Sequence, residues 1–374
     1  MPLLLTEEQS IIRETIGKFA KEELTQIAKD IDTAEAIAPE IYSLLTGLNL
    51  YGIFASAEVG GAELDNLSYY LILEEIGYAS GTLSLILAAH NSLVLYPLTR
   101  AMTQELKPIV NVLAQGTVAG ALAHLETDSD LLAAPLKTTA RESEGDYYIS
   151  GEKTMVIAPG NTGYYLVSAQ LNQEPALFLV EKSASGLTVG EPIPTIGARG
   201  AGIRDIKLDN VKAHFCVAKG NQAQELLTDS VLHYFLALSA INAGIVKNCL
   251  SSATGYARER KQFGEKIISF PLVQNHLIKM AEARQVIQLL VHQAALENHL
   301  PEWRKKVAYA RLYSGQAAVI SGISAIQVHG GYGYSKEYPV ERYFRDAQMM
   351  QSMGGNEELA KQFLAQVLTS GGEL

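Results

Sequence analysis

Apolar residues along this chain change period twice. Thr6, with Gln9 three residues later, forms a capping-box pattern, after which Ile11, Ile12, Ile16, Phe19 and Ala20 recur at helical spacing. Helical patterning continues through LDNLSYYLILEEIGYA and LSLILAAHNSLVL to about Gly116. From Thr117 the pattern shortens into β-branched and aromatic segments such as DYYISGEKTMVI, GYYLVSAQL, PALFLVEK and IRDIKLDNV. Gly145, Gly160, Gly163, Pro175, Gly186 and Gly200 punctuate them, as turns between antiparallel strands do. Near Lys219 the helical period returns and persists almost to the end. Three domains are therefore expected: helical over 1–116, β over 117–218 and helical over 219–374. Periodicity alone leaves open whether the two helical parts pack separately or form one layer interrupted by the β module.

Uncharged runs at 76–99 and 312–335 are long enough to raise the question of a membrane span. Polar residues and glycines within them, among them His90, Asn91, Gln316, Gln327 and His329, predict buried helices of a large bundle and no membrane association. The chain's 374 residues are 48% hydrophobic, which excludes a disordered tail. A net charge of −10 with no basic tract argues against nucleic acid or anionic lipid as a partner. Cys216 and Cys249 belong to separate elements without CxxC spacing, so a disulfide or thiolate metal site is not expected. That usage, with an N-terminus lacking a basic region, predicts a cytoplasmic protein. No HExxH and no His/Cys cluster points to a metal, and HGGYGY is not the GxGxxG of a nicotinamide fold.

Two stretches carry the most information: YARERKQFGEKIISFPLVQNHLIKM at 256–280 and QVHGGYGYSKEYPVERYFRDA at 327–347. With GLNLYGIFASAEVGGAELDNLSYYLILEEIGYASG near the N-terminus, LAQGTVAGALAHLETD and GARGAGIRDIKLDNVKA, they resemble the acyl-CoA dehydrogenase family along the whole length. The resemblance implies an α+β fold: an N-terminal helical domain, a middle antiparallel β-barrel-like domain and a C-terminal four-helix bundle. It also implies a dimer or tetramer holding FAD at a subunit interface. On that likeness Arg260 meets the FAD diphosphate and Phe263 packs near the cofactor, both from the neighbouring subunit. Gln327, Gly330 and Gly331 form the turn approached by the adenosine-diphosphate half, and Asn356 and Glu358 line the cofactor. A guanidinium suits a diphosphate because its planar donors pair with two oxygens at once.

The family removes the α-proton of an acyl thioester with a Glu while a hydride leaves the β-carbon for the flavin. Here Gly354 stands at that Glu position, which keeps the backbone N–H of the oxyanion hole and loses the base. The alternative position used by some members is Tyr234, beside His233. A phenol titrates near ~10 and an imidazole near ~6.5, so His233 is the better candidate base, with Asp229 one helical turn away as a second. Packing of His233 among Val231, Leu232 and Phe235 is the competing reading. Leu125 replaces the family's Thr, and Met155, Val156 and Ile157 replace its Trp-Ile-Thr/Ser, removing contacts to the flavin ring. Pro271 replaces a Gln, and no Arg occupies 232–238, where the family meets its acyl carrier. The expected function is an FAD-dependent dehydrogenase or oxidase of an unusual acyl thioester, borne by CoA or by an acyl carrier protein. The alternatives are a non-catalytic ligand-binding or flavin-binding relative and a flavin-dependent monooxygenase on the same scaffold.

Overall fold

The computed structural model describes residues 5–127, 136–300, 302–354 and 357–369. The expected capping box closes the first helix, Glu7–Phe19: the Gln9 N–H donates to Thr6 Oγ1 at 3.1 Å and the Thr6 N–H to Gln9 Oε1 at 3.0 Å. Helix Asn66–Ala79 starts on Asp65, whose carboxylate accepts the Ser68 N–H at 2.8 Å, and stops at Ser80, which caps the next helix through Leu83. Helix Asn66–Ala79 crosses the 40-residue helix Gly220–Glu259 at close range. A Cβ on Gly244 would lie 2.1 Å from the Glu74 carbonyl oxygen, so no larger residue allows that approach. Beside the crossing, Glu74 and Glu75 are buried, and Arg13 and Lys247 neutralise them at 3.2 Å and 2.5 Å from Glu75.

The apolar run at 76–99 is buried as expected, whereas the run at 312–335 has one exposed side, bearing Tyr313, Ile320 and Ile323, and unwinds after His329. By length and composition, 81–100 and 220–259 could cross a membrane, but 94% of the apolar window of each lies inside the fold.

Among the described residues, the middle of the chain forms eight strands: β1 (Ala119–Ala123), β2 (Thr139–Ser143), β3 (Asp146–Ile157), β4 (Thr162–Leu171), β5 (Glu174–Glu181), β6 (Leu187–Val189), β7 (Ile203–Lys212) and β8 (Phe215–Lys219). They lie in one sheet in the order β6-β7-β3-β2-β4-β5-β8, with β1 also on β4. Pairing is antiparallel except along one edge of β4, where β1 and β2 dock in parallel over successive stretches. β5 reads as a continuous apolar run because both its faces are covered: Leu177 and Leu179 join the helical core, Phe178 and Val180 a second core inside the β domain.

One node ties the three parts. Arg345, on helix Val340–Ser352, donates to both carboxylate oxygens of Asp32 at 2.8 Å and to the Ile196 carbonyl at 3.1 Å. Its neighbour Asp346 accepts the Ala198 N–H at 2.7 Å. An N-terminal helix, the loop before β7 and a C-terminal helix thus share two adjacent side chains.

Candidate functional site

Two cavities hold most of the candidate residues, and they share no lining residue. The first is a cleft of about 540 Å³ lined by Tyr256, Arg260, Gln262, Gln327, Gly330 and Gly331, among others. Helix Gly220–Glu259 ends at Arg260, whose extended backbone turns into a short hairpin pairing Lys261–Gln262 with Glu265–Lys266. The opposite wall is the end of helix Trp303–His329. That helix stops at Gly330 with φ 61 and ψ −138, a backbone conformation closed to residues bearing a Cβ. A Cβ on Gly330 or Gly331 would meet no protein atom within 4 Å, so both glycines face open cleft. The His329 ring stacks on Tyr256 at 4.4 Å and donates from Nδ1 to the Ala325 carbonyl at 2.8 Å, joining the two helix ends. A cleft with a guanidinium on one wall and side-chain-free backbone on the other fits the diphosphate and adenine half of FAD.

One chain therefore brings Arg260, Gln327, Gly330 and Gly331 together on its own surface. Phe263 does not line the cleft. It occupies the hairpin turn at φ 51 with Gly264 at φ 87, and is 94% exposed. Glu358 is exposed at the start of the last helix, paired with Lys361 at 2.8 Å, and lines neither cavity. Asn356 lies outside the described residues.

The second cavity, about 30 Å³, lies where the three parts meet. Ala89 and Leu93 come from the N-terminal helices, Leu122, His124, Leu125, Thr154, Met155 and Ile157 from the sheet, and Tyr234, Met353 and Gly354 from the C-terminal helices. That volume admits about one water, so a planar ring enters only if lining side chains swing aside. Met155 sits in an irregularity of β3 with φ 54. Asp205 holds the bend, accepting the Thr154 hydroxyl at 2.6 Å and the Met155 N–H at 3.1 Å. The Tyr234 hydroxyl is buried without a hydrogen-bond partner among the described residues, a polar group that a ligand in this cavity would satisfy. Burial pushes its pKa well above the ordinary phenol range, Arg311 opposing.

Gly354 and Tyr234 share this cavity; His233 and Asp229 do not reach it. His233 is buried in an aromatic cluster, 4.3 Å from Tyr96, 4.9 Å from Trp303 and 5.5 Å from Phe54, with Nδ1 2.8 Å from the Tyr70 hydroxyl. Burial and the nearby Arg100 push its pKa down to about 3, so it stays neutral and walled in. Asp229 is half-buried, its carboxyl raised by desolvation against the pull of Arg304 and Arg100.

His124 is a residue that the sequence reading passed over. It is buried on the sheet side of the second cavity, with Nδ1 2.6 Å from Ser168 Oγ. Behind it Lys153 Nζ donates to Glu126 at 2.7 Å, to the His124 carbonyl at 3.1 Å and toward Ser168 at 3.4 Å. Burial pulls the Lys153 ammonium down to about 8 against Glu126; burial would raise Glu126, but Lys153, Thr138 and Lys137 hold it at about 2. The available signal was a histidine directly after the apolar strand Ala119–Ala123 and a lysine at a buried position of β3. No metal-binding group of His, Cys, Asp and Glu occurs among the described residues, and both cysteines are free.

Comparison with known proteins agrees with this fold. The acyl-CoA dehydrogenase N-terminal, middle and C-terminal domain families match residues 6–115, 121–211 and 231–369. A probable acyl-CoA dehydrogenase of Bacillus subtilis (strain 168) is 32% identical, covering 97% of this chain and 98% of its own. Among solved structures, PigA with FAD and proline is 25% identical with a TM-score of 0.93, covering 100% of both chains. The prolyl acyl carrier protein oxidase AnaB is 25% identical with a TM-score of 0.92, covering 98% of this chain and 100% of its own.

Proposed function

The chain belongs to the acyl-CoA dehydrogenase family, and on that premise we propose that it is an FAD-dependent dehydrogenase or oxidase acting at the Cα–Cβ bond of an acyl thioester. The observation that carries this reading is the second cavity, where a family oxyanion position, Gly354, faces a phenol and an imidazole across a buried space. FAD, when bound, supplies the two-electron acceptor. Arg260, Gln327, Gly330 and Gly331 would hold its phosphate-bearing half.

The chain's own residues have separable roles. The Gly354 N–H is the donor assigned to the thioester oxygen, where negative charge grows as the α-proton departs. No carboxylate lines the cavity among the described residues, so we assign the α-proton to His124, the cavity's imidazole. Ser168 at its Nδ1 orients the ring. The Tyr234 hydroxyl, kept protonated by burial, acts as hydrogen-bond donor.

The substrate class assigned is a thioester on a phosphopantetheine arm, which CoA and acyl carrier proteins share. The family's carrier-contacting Arg is missing from 232–238, which favours the carrier-protein form. A homodimer or homotetramer is also assigned. The exposed Phe263, Leu272, Ile278, Ile320 and Ile323 support it, and so does the separation of the cleft from the cavity, as if one protomer's cleft served another's cavity. Two free thiols, one of them buried, suit a reducing compartment, and the cytoplasm is the location assigned.

The absence of a carboxylate from the cavity lining among the described residues favours one second reading, a relative that binds ligand without turnover. One experiment separates the two. The purified protein is examined for flavin absorption, then mixed anaerobically with acyl-CoA and with acylated carrier protein. Bleaching of the flavin by either thioester is expected. Thioester binding without bleaching selects the second reading, and absence of flavin after gentle purification overturns the first.

A further inference from the structure

Arg311, on helix Trp303–His329, is the largest fully buried side chain among the described residues. Its Nη2 donates to the Gln351 carbonyl at 2.8 Å and to the Met353 carbonyl at 2.7 Å, while Nε and Nη1 have no partner among the described residues. A guanidinium placed wholly out of water with a single nitrogen hydrogen-bonded, and otherwise only 5.8 Å over the Phe235 ring, is costly, and stability alone gives little reason to keep it. Its position supplies one. Helix Val340–Ser352 ends at Met353, which has extended φ and ψ of −69 and 150, and the chain then turns at Gly354 with φ 74.

The Met353 carbonyl and the Gly354 N–H belong to the same peptide group. In a planar trans peptide the two point in opposite directions, so whatever fixes the carbonyl also aims the N–H. Arg311 does not line the second cavity, whereas Met353 and Gly354 do. We propose that Arg311 is a positioning residue: by holding the Met353 carbonyl on the bundle side, it turns the Gly354 N–H into the cavity as the oxyanion donor. The glycine at 354 makes such a clamp necessary, since no side chain there anchors the turn, and φ 74 is one of several conformations open to glycine. Gln351, which shares Nη2, is itself held by Glu357 at 2.8 Å, and Gln316 donates to the same carboxylate at 3.0 Å, so the clamp is braced from behind.

This inference rests on the thioester reading given above, and its test separates the two. A butyryl group labelled with ¹³C at the carbonyl is presented to the holoenzyme as the CoA thioester and as the acyl carrier protein thioester, and the thioester C=O stretch is read by isotope-edited infrared spectroscopy. In the wild-type protein the band should move to lower frequency with at least one of them; no movement with either rejects the thioester reading itself. In Arg311→Met the shift should fall by at least half and turnover by about 10- to 100-fold, less than the full loss of an oxyanion donor, with KM changed much less than kcat. Arg311→Lys, which keeps donors for the two carbonyls, should restore most of the shift. An undiminished shift in folded Arg311→Met overturns the proposal. If that variant fails to fold, Arg311→Lys and Arg311→Gln are compared: a larger shift in the former is expected, and equal, wild-type shifts in both overturn it.

Discussion

At the scale of single residues, the two histidines nearest the chemistry have opposite fates. His233 fills an aromatic cluster, so His233→Ala should cost about 2–4 kcal/mol of stability through lost packing and the lost Tyr70 hydrogen bond. Turnover per folded molecule should stay within about threefold of wild type, because hydrogen-bond reach to the substrate is what a base requires; urea denaturation and steady-state assays check both. His124→Asn should reverse the pattern, leaving flavin content unchanged and lowering turnover by about 10²- to 10⁴-fold. Why the sequence favoured His233 is physical. A helix position says which residues are neighbours, but not whether the side chain meets a cavity or a wall of Tyr and Trp. The strand reading could not reveal that β3 bends at Met155 and opens a space in front of His124.

Among elements, the cleft depends on how two helices end. Gly330→Ala should cost about 1–3 kcal/mol from backbone strain and should weaken FAD binding in a flavin titration, since its Cβ enters open cleft. The hairpin offers a cleaner separation of fold from assembly. Phe263 occupies a turn position with φ 51, which Asn tolerates better than an aromatic. Phe263→Asn should leave the melting temperature equal or higher while weakening cofactor retention or self-association, read by flavin content and sedimentation. These elements were legible from sequence because their signals are local: a Thr-Gln capping pair, a Gly ending a helix, a run of Val and Tyr between glycines. Two features were not. The parallel docking of β1 and β2 on β4 is a long-range choice that period-2 patterning does not encode, and the buried Arg311 occupies the helical spacing of a core residue, Val307, Arg311, Ser314 and Ala318 all facing inward.

For the whole molecule, pH is the informative variable. Burial pushes His90 and His292 down to about 4 and His233 to about 3, with Arg13 adding to the effect at His292 and Arg100 at His233. His90 is held neutral by geometry as well, its Nδ1 accepting the Gly120 N–H at 3.0 Å and its Nε2 donating to the Tyr51 carbonyl at 3.1 Å. An unfolded histidine takes up its proton near ~6.5, so between there and about 4 the unfolded chain binds more protons than the folded one. Their contribution to stability is full above that range and is lost as pH falls. Asp346, raised to about 6 by burial, works the other way by gaining a proton earlier in the folded state, as do Glu74 and Asp229, but against these three stand four lowered histidines, His329 included, and the lowered carboxyls of Asp32, Glu126 and Glu357. Unfolding free energy from urea titrations should therefore decline steadily from pH 7 to pH 4; a flat profile would contradict the neutral, buried state of these rings.

The Arg345 node carries a consequence for selectivity. The walls of the small cavity come from all three parts of the chain, and those same parts are riveted together through Asp32, Ile196 and Ala198. The gap available to an acyl group is thus a property of how three bodies are aligned, as the jaws of a vice are set by its screw. Relatives with identical lining residues could accept chains of different girth merely by shifting that rivet.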